Sequence, residues 1–484
     1  MVFSSRIFLF LFLPVVLATY YAAPRSLRNS WLLTVSLAFY AWGEPEMFWL
    51  FLVSIGANHL LGLGAEKTRG GAAGKWVIGL TIVVNIGLLA YFKYANFFID
   101  STNTLFVAWG LPAHAWREVA LPIGISFYTF QAMSYVIDVY RGEAPAQRNP
   151  INTALYVAFF PQLIAGPIVR YRDVAEQIDR RRETIDEFAS GVRRFIVGLG
   201  KKVLLANSAA TVADAIFLIP DESLSCGVAW LGACCYTLQI YFDFSGYSDM
   251  AVGLGRMFGF QFLENFNYPY ASRSVTEFWR RWHISLSTWF RDYLYVPLGG
   301  NRCGRAKTYR NLMIVFLLCG LWHGAEWTFV AWGVYHGVFL IVERIGLLRL
   351  VERLPPPLRH LYALAVVIFG WALFRAETVG QAWSFWTAML GASAAPSTES
   401  DFAMYFDSGL LITLAVGVVA SLPLFEAMRP AVEGSAARMR RDSHRLLGRA
   451  LFEGGQVAVM GVVFCASAAK LMASTYNPFV YFRF

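Results

Sequence analysis

Charged residues are scarce in this chain. Asp, Glu, Lys and Arg make up 15% of its 484 residues, where a soluble domain carries about a quarter. Hydrophobic residues reach 57% and aromatic residues 16%. These proportions exclude a soluble globular protein and leave a polytopic membrane protein. Cysteine is rare too. Cys226, Cys234, Cys235, Cys303, Cys319 and Cys465 include no C-x-x-C pair and no metal-ligand spacing with histidine. Neither a disulfide framework nor a metal site is expected. Adjacent Cys234 and Cys235 lie in an apolar run, where a free thiol behaves as a small hydrophobe. The net charge of +9 does not point to nucleic acid, because excess Lys and Arg in cytoplasmic loops produces the same balance. No basic patch interleaved with aromatics is present, so no nucleic-acid partner is expected.

Familiar catalytic words are missing as well. No G-x-S-x-G elbow, P-loop, H-E-x-x-H or G-x-G-x-x-G stands in a supporting context. The His-x4-Asp pattern of glycerolipid acyltransferases is absent, since Thr288 and Thr328 occupy the positions where its Asp would stand. There is no internal repeat, low-complexity tract or interdomain linker. A cleavable leader is not expected either. Tyr20 and Tyr21 stand where a cleavage site wants small residues, so Ile7–Ala23 reads as a retained first helix.

What the chain has is apolar runs of membrane-spanning length. Candidates are Ile7–Ala23, Trp31–Ser54, Trp76–Tyr94, Val119–Tyr140, Ala154–Val169, Phe195–Ile219, Val228–Phe244, Asn311–Ile341, His360–Leu373, Gly409–Phe425 and Val457–Met472. Only helices or closed barrels satisfy the backbone in lipid, and these runs lack strand alternation. The expected fold is all-α: one membrane domain over residues 1–484 with roughly 10 to 13 transmembrane or re-entrant helices. The distinctive words fall at about residues 120–345, with plainer helices in 346–484. Three basic clusters mark candidate cytoplasmic loops: Arg170 to Arg182, Arg302 to Arg310, and Arg429 to Arg449. The second also suits an anionic donor.

The chemistry concentrates between Ser272 and Gly337. His283 and His323 share this tryptophan- and arginine-rich segment. An imidazole can take a proton from a hydroxyl and return it, and an ionisable group at membrane depth is by default functional. The bland alternative is a histidine hydrogen-bonded between helices. Within Thr276–Phe290, helical spacing puts Trp279, Trp282, His283, Leu286 and Phe290 on one apolar stripe, as in an interfacial or oblique helix. Asn311–Ile341 exceeds one span, and Gly320, Gly324 and Glu326 interrupt it, predicting a broken or hairpin pair of helices around a tunnel. Glu326, close after His323, is a candidate for orienting its ring. Cys319 would share a helical face with His323, although buried apolar cysteine is common. Asp243 and Asp249 are not spaced to share one helical face, so they read as tethers that shape a cavity wall rather than as an acid–base dyad.

Particular words carry a family likeness. Glu277-Phe-Trp-Arg-Arg-Trp-His283, Phe290-Arg-Asp-Tyr-Leu-Tyr295, Leu298-Gly-Gly-Asn301 and Leu321-Trp-His323-Gly-Ala325 resemble motifs of the membrane-bound O-acyltransferase family. Tyr241-Phe-Asp-Phe-Ser-Gly-Tyr-Ser-Asp249, Pro161 to Pro167, Leu121-Pro-Ile-Gly-Ile-Ser-Phe-Tyr128 and Met1-Val-Phe-Ser-Ser5 extend the likeness upstream. Within the family the likeness is greatest to the membrane subunits of bacterial alginate O-acetylation. The resemblance implies His323 as general base and His283 as a group that orients the thioester or donates an N–H to its oxyanion. Trp279, Trp282, Trp322, Asp243, Ser245, Asp249 and Glu326 then line the tunnel or bind substrate. It also implies no bound cofactor, acetyl-CoA or another acetyl thioester as donor, and a bacterial inner-membrane location. A periplasmic acetyltransferase partner and a polysaccharide as final acceptor complete the picture. Same-family enzymes acting on cellulose, peptidoglycan, teichoic acid, lipid or protein stay open. A transporter or flippase is the competing class, but such proteins often show repeated halves with matching helix breaks, whereas here the polar words sit in one asymmetric region.

Overall fold

In the computed structural model, residues 2–392, 399–424, 442–474 and 476–479 are described. They form helices joined by short turns, with no strand among the described residues. Among the described residues, five helical stretches are long and apolar enough to cross a membrane: Phe48–Lys67, Ala72–Ala108, Ile185–Phe217, Pro356–Arg375 and Glu453–Ala473. Bulky side chains such as Trp49, Trp76 and Trp109 point outward, the surface expected of a protein bathed in lipid with aromatic belts. The chain is an all-α, multi-pass membrane protein.

Several helix limits differ from the apolar runs, each for a local reason. The run Trp31–Ser54 is divided between Arg28–Gly43 and α1 (Phe48–Lys67), because Pro45 cannot continue the first helix. The run Trp76–Tyr94 goes further than expected. From α2 (Ala72–Leu89) the chain passes through a π-helical turn, Ala90–Tyr94, into Ala95–Ala108. The run Ala154–Val169 is no single span, since Pro161 and Pro167 restrict it to Pro150–Ala158, Phe160–Leu163 and irregular chain. Farther on come α3 (Ile125–Arg141), α4 (Ile185–Gly200) and the long, mostly buried α5 (Cys226–Met257).

The expected single helix over Thr276–Phe290 is two: α6 (Val275–Arg281) and α7 (Ile284–Phe290). His283 breaks them, at φ 44° and ψ 54°. A non-glycine residue in this left-handed region is strained by about 1–2 kcal/mol. The strain is held by pairing with the preceding loop, where Ile284 N–H donates to Asn265 O (2.9 Å) and Asn267 N–H to Arg281 O (3.0 Å).

The hairpin expected around Gly324 is present. α8 (Arg305–His323) ends at His323, and α9 (Trp327–Val342) returns alongside it. A Cβ on Gly320 would collide with the Phe329 carbonyl oxygen, and one on Gly333 with the Phe316 carbonyl oxygen. Absent side chains are what let the two backbones touch. The hairpin brings Arg344 and Arg349 back beside Arg305 at the far end from His323.

Two of the basic clusters differ in use. Arg170 and Arg172 both pair with Asp292, Arg170 also with Asp173 (2.7 Å) and Arg172 with Glu143, while Arg181 lies near Glu183. This cluster ties loops together, beyond any topological signal. Arg302, Arg305 and Lys307 are exposed. Of the third, Arg429, Arg438, Arg440 and Arg441 lie outside the described residues. Burial alone would push the Asp292 carboxyl up, but the Arg291, Arg170 and Arg172 guanidinia outweigh it and hold the group below the usual carboxylate range.

Two outcomes follow. Gly320→Ala should lower the thermal unfolding midpoint of protein in nanodiscs, with an overpacking cost of about 1–3 kcal/mol; an unchanged midpoint would mean the helices separate freely there. A carboxylate depressed in the fold stabilises it above the carboxyl group's unfolded pKa, and that contribution disappears as pH falls through the folded value. Asp292→Asn should therefore be less stable than wild type near pH 7, with the gap closing as the medium is acidified.

Candidate active site

His323 closes α8 and His283 opens α7. Packing brings their rings together, with centroids 6.4 Å apart. Both are buried, at 4% and 0% exposure. The His323 ring is held edge-on by Trp322, Trp332 and Phe374, at centroid distances of 5.1, 5.2 and 5.3 Å. His283 meets Trp322 at 5.9 Å and Phe244 at 4.6 Å. Trp322 lies against both histidines, and its Nε1–H is directed at Ser126 O (3.4 Å).

The hydrogen bonds of His283 fix its tautomer. Its Nδ1 is 3.1 Å from Asn265 Oδ1. That oxygen also accepts from Ser285 N–H (3.2 Å) and Ser285 Oγ (2.9 Å), while Asn265 Nδ2 donates to Ser248 Oγ (3.0 Å). The surrounding donors identify the amide oxygen, so Nδ1 must carry the proton and donate. Nε2 is then a bare lone pair in the neutral ring, buried and with no hydrogen-bond partner among the described residues. With the Nδ1–H directed at Asn265, the other ring nitrogen of a neutral His283 offers an acceptor.

The remaining sequence-derived residues divide into layers. Trp279 sits one layer behind, 5.5 Å from Trp332, with its Nε1–H aimed at His336 Nδ1 (3.4 Å). Trp282 packs on Trp371 (4.7 Å) and Phe278 (5.5 Å). Both tryptophans serve as walls to the residues around the histidines. Ser245, on α5 beside Phe244, is buried, and its hydroxyl has no hydrogen-bond partner among the described residues. Asp243 lies 2.7 Å from buried Lys202, and Asp249 is 2.7 Å from both Arg194 and Lys201. Both carboxylates are thus paired with cations, as expected of tethers between helices. Glu326 is exposed at the head of α9, where its Oε2 accepts from Thr328 Oγ1 (3.5 Å). Cys319 is buried within α8.

Sequence reasoning missed Asn265, Lys93 and His336. Asn265 belongs to a polar loop that no helical period reaches. Lys93 ends an apolar run, where one lysine reads as an interfacial anchor. His336 is a third histidine in the same long run as His323, and it was the most findable of the three.

The model of the membrane-bound O-acyltransferase family matches residues 143–379. "Probable alginate O-acetylase AlgI" of Azotobacter vinelandii is 45% identical, with all of both chains covered. The protein of the same name from Pseudomonas aeruginosa is 43% identical, again over the whole of both chains. "Peptidoglycan O-acetyltransferase" of Helicobacter pylori is 36% identical over 81% of this chain and 80% of its own. With an all-α membrane fold, two buried histidines meeting at the end of a helical hairpin, and likeness along its whole length, this chain belongs to the membrane-bound O-acyltransferase family and is an O-acyltransferase.

Proposed function

We propose that this enzyme takes an acetyl group from a cytoplasmic thioester, acetyl-CoA or an acetylated carrier, and passes it across the bacterial inner membrane. There it serves O-acetylation of an exopolysaccharide such as alginate, through an extracytoplasmic acetyltransferase partner. The observation that carries the chemistry is the buried pair His283–His323, ring centroids 6.4 Å apart. The names of the full-length relatives support the acceptor class.

A thioester is already activated, so catalysis consists mainly of holding a hydroxyl beside its carbonyl and removing the proton. In this reading the hydroxyl oxygen attacks the carbonyl carbon while its proton passes to the His323 ring. The C–S bond breaks, and the departing thiolate takes that proton back. His283, with Nε2 as an acceptor, orients the bound substrate by accepting a hydrogen bond from it. Tight aromatic packing around both rings keeps water away, which strengthens each polar contact.

The donor end is constrained by length. Arg305 begins α8 and His323 ends it, and a rise of about 1.5 Å per residue separates them by roughly 27 Å. Arg305, Arg344 and Arg349 surround a cavity of about 380 Å³, together with Thr308 and Tyr309. Those guanidinia suit a phosphate-bearing donor, whose thioester must reach the histidines on a long extended arm.

Exopolysaccharide from cells expressing the wild type should carry O-acetyl esters that vanish on deletion and do not return with His323→Ala, a loss of about 10²- to 10⁴-fold. His283→Ala should give a partial loss. Normal acetylation by His323→Ala in cells without a second copy would overturn the assignment. Acetyl loss from peptidoglycan alone would transfer the acceptor to that of the Helicobacter pylori relative. At the donor end, neutralising Arg302, Arg305 and Lys307 together should weaken acetyl-CoA binding to the purified protein in a salt-dependent way; unchanged binding removes this loop from the donor site.

A further inference from the structure

An α-helix leaves the carbonyls of its last turn without intrahelical donors. In α8 those carbonyls belong to the turn carrying His323. Gly324 N–H reaches back to Gly320 O (3.2 Å), and the chain then turns away. The carbonyls of Leu321, Trp322 and His323 find donors in a remote part of the sequence. Tyr94 Oη donates to Leu321 O (2.6 Å). Lys93 Nζ donates to Trp322 O (2.6 Å) and to His323 O (3.2 Å). Its third donor meets Ser126 Oγ at 3.3 Å. Two consecutive residues of the π-helical turn thus satisfy all three carbonyls.

The chemistry of Lys93 sets it apart among the described residues. It is 7% exposed. Among the described residues the other buried cations face carboxylates: Lys202 meets Asp243, Arg170 meets Asp173 and Asp292, and Arg375 meets Asp214. The three hydrogen-bond partners of Lys93 are neutral oxygens, two of them at a helix C-terminus, where partial negative charge favours a cation. An ammonium also has the three donors this arrangement uses. The π-helical turn supplies the register, since it places Lys93 and Tyr94 against successive carbonyls. Ser126 closes the network from α3, because its own carbonyl faces Trp322 Nε1–H.

We propose that Lys93, assisted by Tyr94, is a positioning residue for acyl transfer: it clamps the last turn of α8 and so fixes the His323 ring opposite His283. This rests on His323 as the proton acceptor. Lys93 acts on the backbone of residues 321–323, so its loss should displace the imidazole without touching the donor.

The test uses the full chain in nanodiscs, with labelled acetyl-CoA as probe. Turnover to any acceptor, water included, is measured beside donor concentration at half-saturation and amide hydrogen exchange. Lys93→Met should lower the maximal rate about tenfold to a hundredfold, as expected for a displaced catalytic group, with half-saturation within about twofold of wild type. Exchange should rise in peptides covering residues 320–328 and stay unchanged elsewhere. Lys93→Arg, which keeps charge and donors, should recover much of the rate. Tyr94→Phe should lose less, in the same direction. A Lys93→Met protein with wild-type rate overturns the proposal, as does a loss confined to half-saturation or a folded Lys93→Arg as slow as Lys93→Met. If Lys93→Met does not fold, Tyr94→Phe with unchanged rate and exchange overturns the clamp. His323→Ala is measured alongside, and a normal rate there defeats the general-base reading, whatever Lys93 does. If wild type does not turn over acetyl-CoA, the same variants are scored by exopolysaccharide acetyl content in cells, which separates a wrong donor from a wrong clamp.

Discussion

Ending a helix inside packed apolar protein exposes carbonyls that have neither amide partners nor water. The site depends on how α8 manages that ending. Its last residue is His323, its last carbonyls are met by Lys93 and Tyr94, and its backbone lies against α9 through Gly320 and Gly333. Each contact constrains one face of the same turn. The imidazole is held by where its backbone stops as much as by the aromatic rings around it. Non-helical backbone within a membrane protein is tolerated where protein covers it, and here the cover comes from α2's π-helical extension and from α3.

The second histidine arrives by a different device. His283 owes its position to a left-handed break between two short helices, and the break is stabilised by the loop around Asn265. Asn265 then sets the proton: by accepting from Nδ1 it leaves Nε2 of His283 as a buried lone pair. One histidine is thus fixed at the end of a helix and the other at the start of one. The ion pairs of Asp243 with Lys202 and of Asp249 with Arg194 and Lys201 hold α4 and the π-helical turn Lys201–Ala206 to α5. A charge removed from such a buried pair leaves its partner uncompensated.

The membrane class, the all-α architecture and the hairpin around Gly324 were legible in the sequence, because composition, run length and interrupting glycines report directly on them. The pairing of His283 with His323 was legible only as shared membership of one dense segment; their separation is a tertiary fact. The break at His283 was not legible, since the stripe from Trp279 to Phe290 fits an uninterrupted helix and no residue in it announces positive φ. Lys93 was hidden for an energetic reason. A lysine after an apolar run ordinarily marks an interface, and only the helix end packed against it reveals a buried role. Proline signals at Pro45 and Pro161 were present but yielded to the apolar runs around them.

Separating donor binding from acyl transfer tests the central claim most directly. Purified protein is loaded with labelled donor, and a single turnover is followed in wild type and in His323→Ala. The account predicts that His323→Ala holds the donor within about twofold of wild type yet transfers its acetyl group at least about 100-fold more slowly. Equal transfer rates, or a loss of donor binding that accounts for the whole defect, would contradict it.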